Sequence, residues 1–213
     1  MGLVDVRSAP RSTVCMATYI MGAGGFGRET LDAALAAGHD VTAFIDESVS
    51  ADSVRGLPVL RIDEVDRGGD FIVGIADPSA RRRLVATLCA QGLRPFTLVH
   101  PAAVVGPETS LGVGCVVLAN AHISSSIRIG DHVQVNYNAT IGHDAVLDDF
   151  TTVYPGANVS GAVRVGEGVT VGSNAVVLQG RTLHPGCFVG AGAVVTRDVE
   201  AGVVVIGNPA RPR

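Results

Sequence analysis

From Val99 onward every sixth residue is Leu, Ile or Val, and the series runs unbroken to Val195. It passes through Leu111, Ile123, Val135, Leu147, Val159, Val171 and Leu183, seventeen hexads in all. An amphipathic helix repeats every 3.6 residues and a half-buried strand every 2, so a strict period of six fits neither. It fits a parallel β-helix, in which each hexad supplies one short strand and one turn. Three hexads would make a coil, stacking residues eighteen apart and drawing the aliphatics into one continuous core. The fifth position of the hexad is small or β-branched (Ala103, Thr109, Cys115, Ala121, Ala139, Thr151, Ala175), as a second inward residue near a corner must be. Glycine follows the aliphatic at 106, 112, 130, 142, 166, 172 and 190, which suggests corners with φ > 0. Asn120, Asn138, Gly156 and Asn174 form an eighteen-residue column of types that tolerate the left-handed region.

The first half reads differently. Apolar strands at 17–21, 41–45, 71–76 and 95–99 alternate with helical stretches at 28–37 and 78–91, ending at Gly38 and Gly92. This is a small parallel α/β unit of Rossmann-like type over 16–98. The β-helix with its C-terminal tail follows over 99–213, and the boundary lies near His100. Residues 1–15 carry no apolar signal-peptide core and read as a flexible tail, with Met16 a candidate start.

Composition narrows the function. A net charge of -4 without a basic run argues against nucleic acid. No stretch reaches the roughly 18 apolar residues of a membrane span. Cys15, Cys89, Cys115 and Cys187 show no paired spacing, pointing to reduced thiols and a cytoplasmic setting. Lysine is absent, so no catalytic lysine exists.

Gly22-Ala23-Gly24-Gly25-Phe26-Gly27 matches G-x-G-x-x-G between a strand and a helix. Asp46, at the end of the second strand, lies at the distance where an acid meets a ribose hydroxyl. Some 80 residues cannot hold both halves of a dinucleotide fold, so a nucleotide-linked substrate is favoured over a nicotinamide cofactor. In the coil, His143 follows a corner and precedes Asp144. A carboxylate that fixes its tautomer suits a general base. Gly161 lies one coil further along the same edge, about 4.8 Å away, where its N–H would stabilise a thioester oxyanion. His122, His132 and His184 occupy different hexad positions and form no column; no metal is expected.

The runs His143-Asp144, Pro155-Gly156-Ala157, Gly190-Ala191-Gly192-Ala193 and Gly207-Asn208-Pro209-Ala210-Arg211 resemble the hexapeptide acyltransferases. With the glycine loop in front, residues 17–211 resemble the sugar O-/N-acyltransferase branch. That branch includes sialic acid O-acetyltransferases and acetyltransferases of UDP- or dTDP-linked 4-amino-4,6-dideoxy sugars. The resemblance implies a left-handed β-helix, a homotrimer, and acetyl-CoA as co-substrate in the cleft between prisms. It makes His143 the base, Asp144 its orienting acid and Gly161 the thioester donor. Thr152, Gly161, Ser173 and Ala191 fall where the family touches coenzyme A, with Arg211 a phosphate partner. Gly24, Gly25, Phe26, Asp46, Glu47, Asp77 and Asn136 fall among substrate contacts, and Phe26 replaces a histidine of several amino-sugar members. N-acetylation of a UDP- or dTDP-linked amino sugar is the expected activity. Transfer to a sugar hydroxyl, a zinc hydratase on a β-helix trimer and a non-catalytic nucleotide-sugar-binding protein are the alternatives.

Overall fold

The computed structural model describes Asp5–Val6 and residues 16–213. The expected tail lies outside the described residues, except that Asp5–Val6 (β1) pairs in parallel with Ser110–Leu111.

The small domain runs β2 (Thr18–Met21), α1 (Gly25–Ala36), β3 (Ala43–Ile45), β4 (Ser53–Val54), β5 (Leu57–Leu60), β6 (Asp70–Val73), α2 (Pro78–Ala90) and β7 (Arg94–Pro95). Its sheet has the order β4-β5-β3-β2-β6-β7, parallel except for the β4–β5 hairpin. That hairpin is absent from the sequence reading. It turns on Arg55 and Gly56, with φ of 53° and 79°, a primed two-residue turn whose twist matches its strands. α1 starts three residues earlier than expected, inside the glycine loop, with Gly24 at its cap. α2 is capped by Asp77 Oδ1, which accepts the Ala80 N–H at 2.6 Å, with Pro78 just inside the helix. The expected strand at 95–99 divides: β7 stays in the small domain's sheet, and Leu98–Val99 opens the coil.

The coil is the expected parallel β-helix. Its strands pair eighteen residues apart, Val117 with Val99 and Val135, Ile141 with Ile123 and Val159. Three faces result. The first begins at Leu98–Val99, the second at Val104–Val105 and the third at Ser110–Leu111. From Leu111 to Val195 every member of the aliphatic column is at most 3% exposed. Each contributes on the order of 1.5–3 kcal/mol by burial, so the column dominates coil stability.

The corner glycines play another part than expected. Those after the aliphatic do not have positive φ; the left-handed residue lies two places later, in every hexad from Glu108 to Gly192, with φ between 56° and 72°. Asn120, Asn138, Gly156 and Asn174 are four of these. The glycines after the aliphatic are required by close stacking: a Cβ at Gly106 would lie 2.6 Å from Ser124 O, and one at Gly172 2.7 Å from Ala191 N.

The small domain covers the first face. Outward Leu98, Val116, Gln134 and Thr152 are at most 1% exposed. Leu98, Val116 and Leu118 share a core cluster with α1 residues Leu31, Ala33 and Ala34. α2 settles at the edge between the third and first faces. There Phe150 stacks on His132 at 5.0 Å between ring centroids, and the Arg82 guanidinium lies 4.3 Å above Phe150. Burial pushes the His132 imidazole down to about 4. Between about pH 6.5 and 4 the unfolded chain therefore binds a proton that the folded one refuses. Stability from this site is present above that window and lost as pH falls through it, by on the order of 3 kcal/mol. His132→Asn, which tolerates the left-handed φ of 57°, is expected to lose less stability than wild type between pH 7 and 4.5. Urea midpoints at both pH values measure this, and equal losses would sink it.

Candidate active site

His143 stands on the edge between the second and third faces, just after strand Thr140–Ile141. Its Nδ1 lies 2.7 Å from Asp144 Oδ2. Asp144 takes the left-handed corner conformation at φ 59°, which an Asp side chain tolerates. The side chains are 56% and 63% exposed, so the ring faces solvent. One coil on, Gly161 lies under the ring: a Cβ there would come 2.6 Å from His143 Nε2. Gly142 leaves room in turn for the Gly161 N–H, 2.5 Å from where its own Cβ would stand. Among the described residues that N–H donates to no protein acceptor. A carboxylate beside Nδ1 favours the tautomer with its proton on that nitrogen, which leaves Nε2 as a proton acceptor. An imidazole nitrogen and an uncommitted N–H donor thus share one point on the edge.

The glycine loop has two kinds of glycine. Gly22, at φ 102°, and Gly27 are fixed by packing, since a Cβ on Gly27 would fall on the Gly22 carbonyl. Around Gly24 and Gly25 a Cβ would meet nothing within 4 Å. Packing gives no reason for glycine at those two, whereas close approach by a ligand does. No side chain caps α1, so the N–H groups of its first turn point into the same opening. Asp46 ties the loop to the end of β3. Its Oδ2 accepts Ala23 N–H at 2.8 Å, while Oδ1 accepts the Ser48 N–H and hydroxyl and the Val49 N–H. Burial raises its carboxyl, but these hydrogen bonds outweigh it and hold the group below the ordinary carboxylate value. Glu47 turns back into its own domain, accepting Ile62 N–H at 2.9 Å and pairing with Arg61 at 3.3 Å.

Residues 18–88 match the PglD N-terminal domain, and residues 162–197 match the bacterial transferase hexapeptide (six repeats). The GDP-perosamine N-acetyltransferase of Escherichia coli O157:H7 is 33% identical over 208 residues, 90% of this chain and 94% of that one. The acetyltransferase domain of PglB from Neisseria gonorrhoeae FA1090 superposes with a TM-score of 0.88 at 34% identity, covering 92% of this chain and 99% of that one. PerB from Caulobacter crescentus, in complex with CoA and GDP-perosamine, gives 0.87 at 31% identity, over 95% and 100% of the two chains. The chain belongs to the hexapeptide-repeat sugar acyltransferases.

In this acyltransferase, Ser173 and Ala191 stack one above the other on the edge between the first and second faces, where Gly192 N–H donates to Ser173 O. They are therefore on a different edge from His143. Arg211 is exposed on the C-terminal antiparallel pair with Ile206, its guanidinium turned to Ala210 O. Two expected ligand contacts are overturned. Thr152 is fully buried against the small domain, its hydroxyl donating to Ala76 O at 2.8 Å and accepting from Arg81 at 2.9 Å, so it presents nothing to coenzyme A. Asn136, 3% exposed, turns its amide to Val153 O at 2.9 Å and has no surface for a substrate. Phe26 packs half-buried against the small domain's core, beside the open glycines. Asp77 remains exposed at the cap of α2. No three His, Cys, Asp or Glu side chains converge among the described residues. Cys89, Cys115 and Cys187 are free thiols, and no described helix is long and apolar enough to cross a membrane.

Proposed function

We propose that this acyltransferase moves the acetyl group of acetyl-CoA onto the amino nitrogen of a nucleotide-linked 4-amino sugar. The observation that carries the reading is the pairing of His143, held by Asp144, with the uncommitted Gly161 N–H beneath it. His143 Nε2 takes a proton from the amine as its lone pair attacks the thioester carbonyl. The Gly161 N–H donates a hydrogen bond to the developing oxyanion. Collapse of the tetrahedral intermediate expels the coenzyme thiolate, which recovers the proton from His143, and Asp144 steadies the transient imidazolium. No covalent acyl-enzyme is required.

The nucleotide binds at Gly24 and Gly25, its diphosphate facing the first turn of α1, with Asp46 shaping the loop. The small domain sits on the first face, and His143 lies on the edge opposite that face. A sugar held by one copy therefore meets the His143 of another, and a homotrimer with coenzyme A between its prisms supplies that neighbour. Ser173 and Ala191 then flank the coenzyme from one copy while His143 and Gly161 flank it from the next.

Thiol release from acetyl-CoA, measured with GDP-, UDP- and dTDP-linked 4-amino-4,6-dideoxy sugars, tests the reading. Release dependent on one sugar is expected. The GDP-perosamine relatives put the GDP-linked sugar first, and the UDP- and dTDP-linked sugars expected from sequence stand beside it. Release only with hydroxyl acceptors such as sialic acid would replace the amine by an alcohol and overturn the N-acetyl assignment.

A further inference from the structure

The carbonyls at and just beyond the end of β6 are satisfied by side chains of the coil together with one arginine of α2. Gln134 Nε2 donates to Val73 O at 2.9 Å and to Ile75 O at 3.2 Å, and Thr152 Oγ1 donates to Ala76 O at 2.8 Å. Arg81 reaches in from α2. One terminal nitrogen donates to Ile75 O and Ala76 O at 3.0 and 2.9 Å and to Gln134 Oε1 at 3.0 Å. The other donates to Phe150 O at 2.7 Å and Thr152 Oγ1 at 2.9 Å, and Nε to His132 O at 3.0 Å. Arg81 is 1% exposed, and no carboxylate pairs with it among the described residues. Removing a member of such a network strands buried acceptors, each at a cost of about 1–3 kcal/mol.

The strand end held in this way is the floor of the glycine loop. A Cβ on Gly74 would come 2.6 Å from Gly27 Cα, and one on Gly22 would come 2.9 Å from Ile75 Cγ1. The Gly74 backbone and the Ile75 side chain therefore abut the two packing glycines without slack, and a shift in one carries into the other. Gly24 and Gly25 sit between those two glycines.

We propose that Arg81, Gln134 and Thr152 are positioning residues through which the coil sets the glycine loop, so that nucleotide-sugar affinity depends on the coil's first face. This rests on the reading of that loop as the nucleotide-sugar site. None of the three side chains touches the ligand; they act through Ile75 and Ala76. The arrangement also accounts for a buried threonine and glutamine on a face whose earlier outward residues, Leu98 and Val116, are apolar.

Thr152→Val keeps volume and β-branching and removes only the hydroxyl, and it carries the test because Arg81→Met endangers folding. In the full-length protein, KM for the nucleotide sugar is expected to rise about tenfold, the equivalent of one net hydrogen bond. KM for acetyl-CoA and kcat at saturating sugar should stay within about twofold, and Thr152→Ser should restore the wild-type values. A fall in melting temperature with an unchanged sugar KM, or equal rises in both KM values, would overturn the proposal. Wild-type protein that turns over no nucleotide amino sugar would overturn the functional reading instead. Calorimetric binding of GDP, UDP and dTDP to wild type and Thr152→Val would then decide the positioning role, with weaker binding by the variant supporting it and equal or absent binding overturning it.

Discussion

Replacing His143 with alanine is expected to lower kcat by about 10²-fold or more, the contribution of a positioned general base. The side chain is 56% exposed and packs into no core, so melting temperature should stay at the wild-type value. Acetyl-CoA binding should survive as well, because the coenzyme contacts proposed at Ser173 and Ala191 lie on another edge. Asp144→Asn should fall less steeply, since an amide still bonds to Nδ1 but no longer fixes the tautomer that leaves Nε2 free. Gly161→Ala makes the comparison sharper. Its Cβ would stand 2.6 Å from Nε2 and must displace the ring, so a variant that keeps both His143 and Asp144 should still lose most turnover. Steady-state rates at saturating acetyl-CoA for the three variants check this. Full activity in His143→Ala would remove this edge from the chemistry and place the base elsewhere.

Much of this site could be read before any coordinate. The hexads specify the coil because the aliphatic column leaves one possible register, and that register places Gly161 directly after His143 on one edge. What the repeat could not convey is which face another domain covers. The outward residues of the first face run Leu98, Val116, Gln134, Thr152, and only the first two are apolar enough to advertise burial. The coenzyme contact expected at Thr152 comes from the family resemblance, and nothing in the polar Thr152 itself contradicts it. Arg81 was hidden by its neighbours: Arg81-Arg82-Arg83 reads as a solvated helix face, yet only the first turns inward, which a helical period permits and cannot announce. Corner glycines were misassigned for a related reason. A residue needed for φ > 0 and one needed for close approach are both written as glycine, and only stacking geometry tells Gly172 from Gly156.

The same distinction yields the largest expected effect on folding. Gly27→Ala is expected to destabilise the small domain by more than about 3 kcal/mol, beyond the usual cost of overpacking. The new methyl would coincide with the Gly22 carbonyl, which is backbone and cannot rotate away as a side chain would. Relief by moving α1 is closed on the other side, because Gly74 already leaves no room for an atom between itself and Gly27 Cα. Gly24→Ala and Gly25→Ala meet no neighbour within 4 Å, and neither residue has positive φ. They should fold as well as wild type or slightly better, since alanine lowers the entropy of the unfolded chain. Yet both methyls enter the opening at the first turn of α1, where the diphosphate is proposed to lie, so sugar KM should rise in each. Urea unfolding separates the first effect from the second. A Gly27→Ala protein of wild-type stability would mean that the loop has slack, and the coupling from Gln134 and Thr152 through Ile75 would lose its physical basis. Stable Gly24→Ala and Gly25→Ala proteins with unchanged sugar KM would move the nucleotide away from α1, leaving those two glycines without a role in either packing or binding.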